Sequence, residues 1–210
     1  MIAILDYGAG NLTSVRLAFE RIGANAIIVD NADDARAADR IVFPGVGSAR
    51  SGMDGLARRG FHSLLKDAAK RRTPVLAICL GMQMLFTTSE EDDGVQCLDI
   101  IPGSVKLFHF PPNQRVKVPH MGWNTVALPQ QHPVLAGIRQ HEAFYFVHSY
   151  YAKPHSPEHT LGFSDYANFS FCAITGRGSV FGTQFHPERS GNAGLRILKN
   201  FTTWNTTSCC

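Results

Sequence analysis

The chain lacks any apolar run long enough to span a bilayer. Its longest apolar stretch, Val75 to Phe86, is interrupted by Gln83, and a spanning helix needs about 20 apolar residues. It also lacks a basic, then apolar, leader. Met1-Ile2-Ala3-Ile4-Leu5 meets Asp6 at once and reads as a first strand instead of a signal peptide. Cysteine is sparse and unpaired in pattern: Cys79, Cys97, Cys172, Cys209 and Cys210 make an odd number with no C-x-x-C spacing. With no leader, this points to a reducing compartment, the cytoplasm. The four Asn-x-Ser/Thr sequons at Asn11, Asn168, Asn200 and Asn205 carry no meaning in such a compartment. Concentrated charge is missing too. The net charge is +3, and only Lys70-Arg71-Arg72 forms a run, which suits a helix C-terminus better than a nucleic-acid patch.

What is present is an ordinary globular composition. The 210 residues are 44% hydrophobic and 18% charged, which excludes disordered, collagen-like and coiled-coil chains. The length suits one domain. No internal repeat or linker is visible. The expected organisation is a single domain over residues 1–204 with a short tail at 205–210.

Strand and helix signals alternate through the first half. Met1–Asp6, Ala26–Val29, Arg40–Phe43 (stopped by Pro44) and Pro74–Ile78 read as strands. Helices are expected over Asn11–Ile22, closed by Gly23, over Asn31–Ala38, capped by Asn31 or Asp33, and over Ser51–Arg59 and Phe61–Arg72. A further helix is expected from about Gly81 to Thr87. This alternation implies an α/β fold with a mainly parallel central sheet flanked by helices. The second half is proline-rich, with strand-like runs at Phe144–Val147, Thr160–Phe163, Ser170–Thr175 and Val180–Phe185, a turn at Gly176-Arg177-Gly178, and a closing helix over Ala193–Trp204. These predict an antiparallel extension.

Three segments carry candidate chemistry. Val75-Leu76-Ala77-Ile78-Cys79-Leu80-Gly81-Met82-Gln83 is strand, cysteine, helix, with small residues two positions either side of Cys79. That is the pattern of a nucleophile elbow, whose tight turn excludes bulky neighbours. A helix N-terminus behind the sulfur favours the thiolate, and the Leu80 N–H is placed for an oxyanion. A buried core cysteine is the competing reading. Second, a strand runs out into His186-Pro187-Glu188, a base with a carboxylate to orient it; alone, it also reads as a surface pair. Third, Phe43-Pro44-Gly45-Val46-Gly47-Ser48 follows a strand. Its glycines let backbone N–H groups face an anion, but it has no P-loop lysine.

Taken together, these segments resemble the class I, triad-type glutamine amidotransferases, with Cys79, His186 and Glu188 at the Cys–His–Glu positions. Within that family, the chain is similar to the glutaminase subunits of imidazole glycerol phosphate synthases. That narrower likeness rests on Asp6-Tyr7-Gly8-Ala9-Gly10-Asn11, Pro44–Gly47, Cys79–Gln83, Pro119–Asn124, Tyr145–Tyr150 and Gln184–Gly191. The resemblance implies glutamine as substrate, no cofactor and no metal. It implies substrate and oxyanion contacts from Gly45, Val46, Gly47, Leu80, Gln83, His148, Ser149 and Tyr150. Its implied partner is a barrel-shaped cyclase subunit, docked on Asn11, His120, Met121, Gly122, Trp123, Asn124 and Arg189, with Trp123 as an anchor. The 45–47 loop is expected to hold an unproductive peptide orientation until the partner binds its ligand, leaving the isolated chain nearly inactive.

Other readings stay in play. A sister amidotransferase would serve another synthase, a cysteine peptidase would share the elbow, and a regulatory subunit would carry an idle triad. His155-Ser156-Pro157-Glu158-His159 fits the H-x-x-E-H zinc pattern. That motif needs a helix, and Pro154 and Pro157 oppose one, so a loop is expected there.

Overall fold

The computed structural model of the protein describes residues 1–8, 10–111 and 113–206. Cys209 and Cys210, most of the expected tail, and Ala9 of the first glycine motif lie outside the described residues.

The first half follows the expected alternation. Strand β1 (Ile2–Leu5) leads to helix α1 (Leu12–Arg21), β2 (Ala26–Val29), α2 (Ala32–Arg36), β3 (Arg40–Gly45), α3 (Ala49–Arg58), α4 (Phe61–Lys70), β4 (Val75–Cys79) and α5 (Leu80–Met84). Asn31 settles the cap of α2: its side-chain oxygen accepts from the Asp34 N–H at 3.0 Å, satisfying one otherwise free N-terminal donor. The second half holds β5 (Thr88–Ser89), β6 (Val95–Gln96), β7 (Gly103–Leu107), β8 (His120–Val126), β9 (Glu142–His148), β10 (Tyr150–Pro154), β11 (Thr160–Tyr166), β12 (Phe169–Arg177), β13 (Val180–Thr183) and the closing helix α6 (Gly191–Thr203).

One sheet runs in the order β2-β1-β3-β4-β13-β12-β10-β7-β5-β6, with β11 also paired to β12. The five strands from β2 to β13 are parallel. From β12 outward the β12–β13, β10–β12 and β7–β10 pairings are antiparallel, which is the expected extension. Alternation along the parallel strands divides the core in two. Ala3, Leu5, Ile41, Phe43, Val75 and Ala77 face α3 and α4 in one buried cluster. Ile2, Ile4, Val42, Leu76 and Ile78 face α1 and α6 in the other.

Two expected boundaries are corrected. Pro44 does not stop β3, which continues to Gly45 opposite Cys79. Ile41 donates to Pro74 of the β4 side, so alternation turns the Pro44 nitrogen toward β1, whose pairing ends at Val42. No ladder bond is lost there. Helix α5 ends at Met84 instead of Thr87. The carbonyls of Met84, Leu85 and Phe86 accept from Leu98, Ile100, Ile101 and Asp99, so that segment displaces the next helical turn. β8 and β9 form a separate antiparallel ribbon. The His155–His159 segment folds as the approach to one 3-10 turn at Pro157–His159, in keeping with the loop expected there.

The elbow imposes a strict size limit. A Cβ on Gly81 would stand 2.0 Å from the Phe43 carbonyl oxygen. Gly81→Ala is therefore expected to force β3 and α5 apart. It should cost about 2–3 kcal/mol and lower Tm by roughly 5–10 °C. Gly10→Ala, whose Cβ meets only Val46 at 3.9 Å, is the control. Thermal denaturation of both variants measures the difference.

Candidate active site

Cys79 ends β4 with φ 54 and ψ −110. This is a sparsely populated conformation for a side-chain-bearing residue, of the kind concentrated at active sites. It swings the sulfur off the sheet's carboxyl edge, where α/β folds bind their ligands. The other described cysteines take no such position. Burial pushes the Cys97 thiol up to about 11 and the Cys172 thiol up to about 12, so both stay protonated and inert.

β13 lies parallel beside β4, with Thr183 opposite Ile78, and three residues later the chain delivers His186. Its Nδ1 donates to Glu188 Oε1 at 2.8 Å, and both side chains are almost wholly buried. Burial opposes a charge on the imidazole, but the neighbouring Cys79 sulfur and Glu188 carboxylate outweigh it and raise His186 to about 10. The ring therefore holds its proton at neutral pH beside the thiol. Nε2 has no hydrogen-bond partner among the described residues, yet the Cys79 sulfur stands near enough to help raise the imidazole. α5 has five residues, too few aligned peptides to give a full macrodipole. The protonated imidazole of His186 is the positive charge beside the sulfur.

A cleft of about 390 Å³ opens over the sulfur. Val46, Gly47, Cys79, Leu80, Gln83, His148, Ser149, Tyr150 and His186 all line it. Gly45 lies below the lining: a Cβ there would stand 2.2 Å from the Tyr7 hydroxyl. That hydroxyl donates to the Pro44 carbonyl at 2.7 Å and fixes the base of the loop. Gly47 has φ 99, a left-handed backbone suited to glycine.

Gln83 is more constrained than the sequence implies. Its Nε2 donates to the Tyr150 carbonyl at 2.9 Å and to Gln184 Oε1 at 3.0 Å. Both amide hydrogens are spent, so a ligand meets only its carbonyl oxygen. Gln184, which the sequence does not single out, is fully buried, and its Nε2 lies 3.8 Å from the Cys79 sulfur. Glu91 has no sequence signal either. It belongs to the acidic run Glu90–Asp93, which matches no motif, yet it lines the cleft while accepting from the Ala49 N–H at 2.7 Å. Burial raises its carboxyl above the usual range.

The expected docking residues divide by strand alternation. Met121 and Trp123 are 62% and 60% exposed. Trp123 meets Tyr145 edge-on, and the Arg189 guanidinium lies 4.3 Å over the same Tyr145 ring, so these form one continuous surface. Gly122 is half-buried in the same strand. His120 is corrected: it is 3% exposed, because alternate residues of β8 point inward. Asn124 shares that inner side and is half-buried. Asn11 is exposed, but its amide donates to Glu188 Oε1 at 3.2 Å and so touches the His186–Glu188 pair directly. Nothing in the spacing announces that contact, across 177 positions.

The comparisons agree with the geometry. A family model described as glutamine amidotransferase class-I matches residues 3–204. The chain is 46% identical to the imidazole glycerol phosphate synthase subunit HisH of Thiobacillus denitrificans, covering 97% of this chain and 91% of that one. It is 44% identical to subunit HisH 1 of Pseudomonas aeruginosa, covering 97% of both. Among solved structures, PurLQS from Thermotoga maritima superimposes with a TM-score of 0.72 at 16% identity, over 96% of both chains. The glutaminase domain of Trypanosoma brucei CTPS gives 0.64 at 18%, over 97% of this chain and 94% of that one. These last two likenesses concern the fold alone.

The ionisation of His186 yields a signed expectation. Activity that needs the imidazolium is present at neutral pH and falls as pH rises through about 10. Glu188→Gln removes a favourable charge and moves that alkaline limb to lower pH. The pH profile of turnover for the two forms checks this.

Proposed function

The chain belongs to the class I glutamine amidotransferase family, and from that premise we propose that it is the glutaminase subunit of an imidazole glycerol phosphate synthase. The observation that carries the chemistry is the elbow cysteine sharing one cleft with a buried His186–Glu188 pair. Likeness to the named subunits over 97% of the chain supports the assignment to that synthase.

The substrate is glutamine. Its side-chain amide carbon is attacked by the Cys79 sulfur, whose proton His186 carries. The oxyanion is met by the Leu80 N–H, a free donor at the start of α5, and by an N–H of the Gly45–Gly47 loop. His186 then gives its proton to the departing ammonia, leaving a thioester on Cys79. Water hydrolyses the thioester and releases glutamate. Glu188 holds Nδ1–H and so keeps Nε2 turned to the reaction. Gln83 Oε1 and the Glu91 carboxylate are acceptors suited to the substrate ammonium, and the Ser149–Tyr150 wall completes the cleft. No step requires a cofactor or a metal.

Ammonia passes to a cyclase subunit, which uses it to form imidazole glycerol phosphate in histidine biosynthesis. The docking face is the Met121–Trp123 surface with Arg189 and Asn11 at its edge. The compartment is the cytoplasm, supported by three buried, unpaired cysteines among the described residues. No described helix is long and apolar enough to cross a membrane. A domain boundary near residue 204 is supported by the end of α6 at Thr203 and of the family match.

Glutamate release from glutamine tests the proposal, measured for the chain alone and in the presence of a cyclase with its nucleotide ligand. Turnover is expected only in the complex, falling at least 10³-fold in Cys79→Ala, on the order seen for a lost nucleophile. Retained turnover in that variant overturns the assignment of the nucleophile. Trp123→Ala should weaken docking by about 2 kcal/mol or more, read from the affinity for the cyclase. Undiminished affinity would remove Trp123 from the interface.

A further inference from the structure

The inner side of β8 holds a hydrogen-bonded chain with a defined direction. His120 stands opposite His148 in the β8–β9 register, with Nδ1 3.0 Å from His148 Nε2. His148 Nδ1 lies 2.8 Å from the Tyr150 carbonyl. A carbonyl only accepts, so His148 carries its hydrogen on Nδ1, and its Nε2 accepts. His120 must then donate from Nδ1, which leaves its Nε2 as an acceptor. Asn124 Nδ2 lies 3.3 Å from that nitrogen. Asn124 cannot be flipped, because its Oδ1 accepts from the Thr125 N–H at 2.8 Å and its Nδ2 also donates to the Asp165 carbonyl at 2.8 Å. Every donor and acceptor is thereby assigned.

The chain ends at a shared acceptor. The Tyr150 carbonyl takes His148 from one side and Gln83 from the other. Gln83 continues to Gln184 and so to the Cys79 sulfur. Both imidazoles are buried, and burial depresses His120 to about 4 and His148 to about 3. Neutral rings are what the donor assignment requires.

We propose that Asn124 and His120 are positioning residues for glutamine binding: they lock His148 in the Nδ1–H tautomer, and His148 in turn holds the Tyr150 wall of the cleft. This rests on the reading that the cleft takes glutamine. The chain begins at a residue adjoining Trp123, so a partner bound on the outer face of β8 bears on the same strand that carries the inner relay. His120 is thus an inner support of the cleft, with Met121 and Trp123 as its solvent-facing neighbours.

The test combines spectroscopy with kinetics. Nitrogen-15 NMR of histidine-labelled protein should show both His120 and His148 as Nδ1–H tautomers. An Nε2–H signal for His148 overturns the proposal. Glutaminase kinetics are then measured in the complex with a cyclase subunit, with docking affinity as a control. His120→Phe leaves His148 Nε2 without a donor and should raise KM for glutamine on the order of tenfold, with kcat held within about threefold. His120→Asn places an amide donor near the lost Nδ1 and should return KM to within about twofold of the parent. Asn124→Asp keeps the Thr125 contact but demands a hydrogen from His120 Nε2. It reverses the relay, sets an acceptor against the Tyr150 carbonyl, and should raise KM without opening a cavity. It serves if His120→Phe fails to fold. An unchanged KM in Asn124→Asp, or equal KM in His120→Phe and His120→Asn, overturns the positioning role. A wild-type complex with no glutaminase activity overturns instead the glutamine reading and the binding role with it, which the NMR result then separates from the tautomer assignment.

Discussion

The site depends on one backbone constraint, the reversal from β4 into α5 across Cys79. A left-handed φ at a side-chain-bearing residue is costly, on the order of 1–3 kcal/mol, and persists only where neighbours over-determine it. Here they do. β4 is held on both sides by parallel partners, β3 and β13. α5 is pressed so closely on β3 that Gly81 has no room for a methyl group. The same parallel registers deliver the other groups. β3 carries the Gly45–Gly47 loop to the level of Cys79, and β13 carries His186 to the same sheet edge. Catalytic spacing is a consequence of strand register, and a slip in either ladder would dismantle it.

Electrostatics then separates the three chemically identical thiols among the described residues. Cys97 and Cys172 sit in apolar or acidic surroundings that penalise the thiolate. Cys79 faces a protonated imidazole whose charge is itself maintained by Glu188. Glu188 Oε2 is buried with no hydrogen-bond partner among the described residues, and Oε1 takes both His186 and Asn11. The exposed Asn11 makes the outer end of this pair accessible from the expected docking face.

Legibility in the sequence follows the strength of the local signal. Buried parallel strands are short, dense apolar runs between helices, and β1, β3 and β4 are readable for that reason; β2 is an equally apolar run, although Ile27 and Ile28 are exposed at the sheet edge. The clustering of Cys79, His186 and Glu188 is readable because elbow geometry restricts residue size and because His186 and Glu188 adjoin a strand end. The antiparallel half is less so. β5 and β6 are two residues each, too short for any period. β8 alternates correctly, but Gly122 and Asn124 weaken its apolar pattern, so its inward and outward sides look alike in the sequence and His120 groups with the surface. Helix α5 is overextended in the sequence reading because the bonds that end it come from residues 98–101. Glu91 and the inward contacts of Gln184 and Asn11 have no sequence signature, since each depends on a partner distant in the chain.

The network also explains why the cleft suits an amino acid carrying both an ammonium and an amide. Gln83 spends both amide hydrogens inward. His148 spends its one hydrogen on Tyr150. Gln184 turns its donor toward the sulfur. The wall on this side therefore presents acceptors, Gln83 Oε1 and the Glu91 carboxylate, and a cation is the group that satisfies them. At the opposite end the cleft is lined by Val46 and Gly47 and by Leu80 at the start of α5, where helix N–H groups lack intrahelical partners and suit a carbonyl oxygen gaining negative charge. A ligand with the reverse polarity would leave buried groups unpaired at both ends, and that penalty discriminates more strongly than shape.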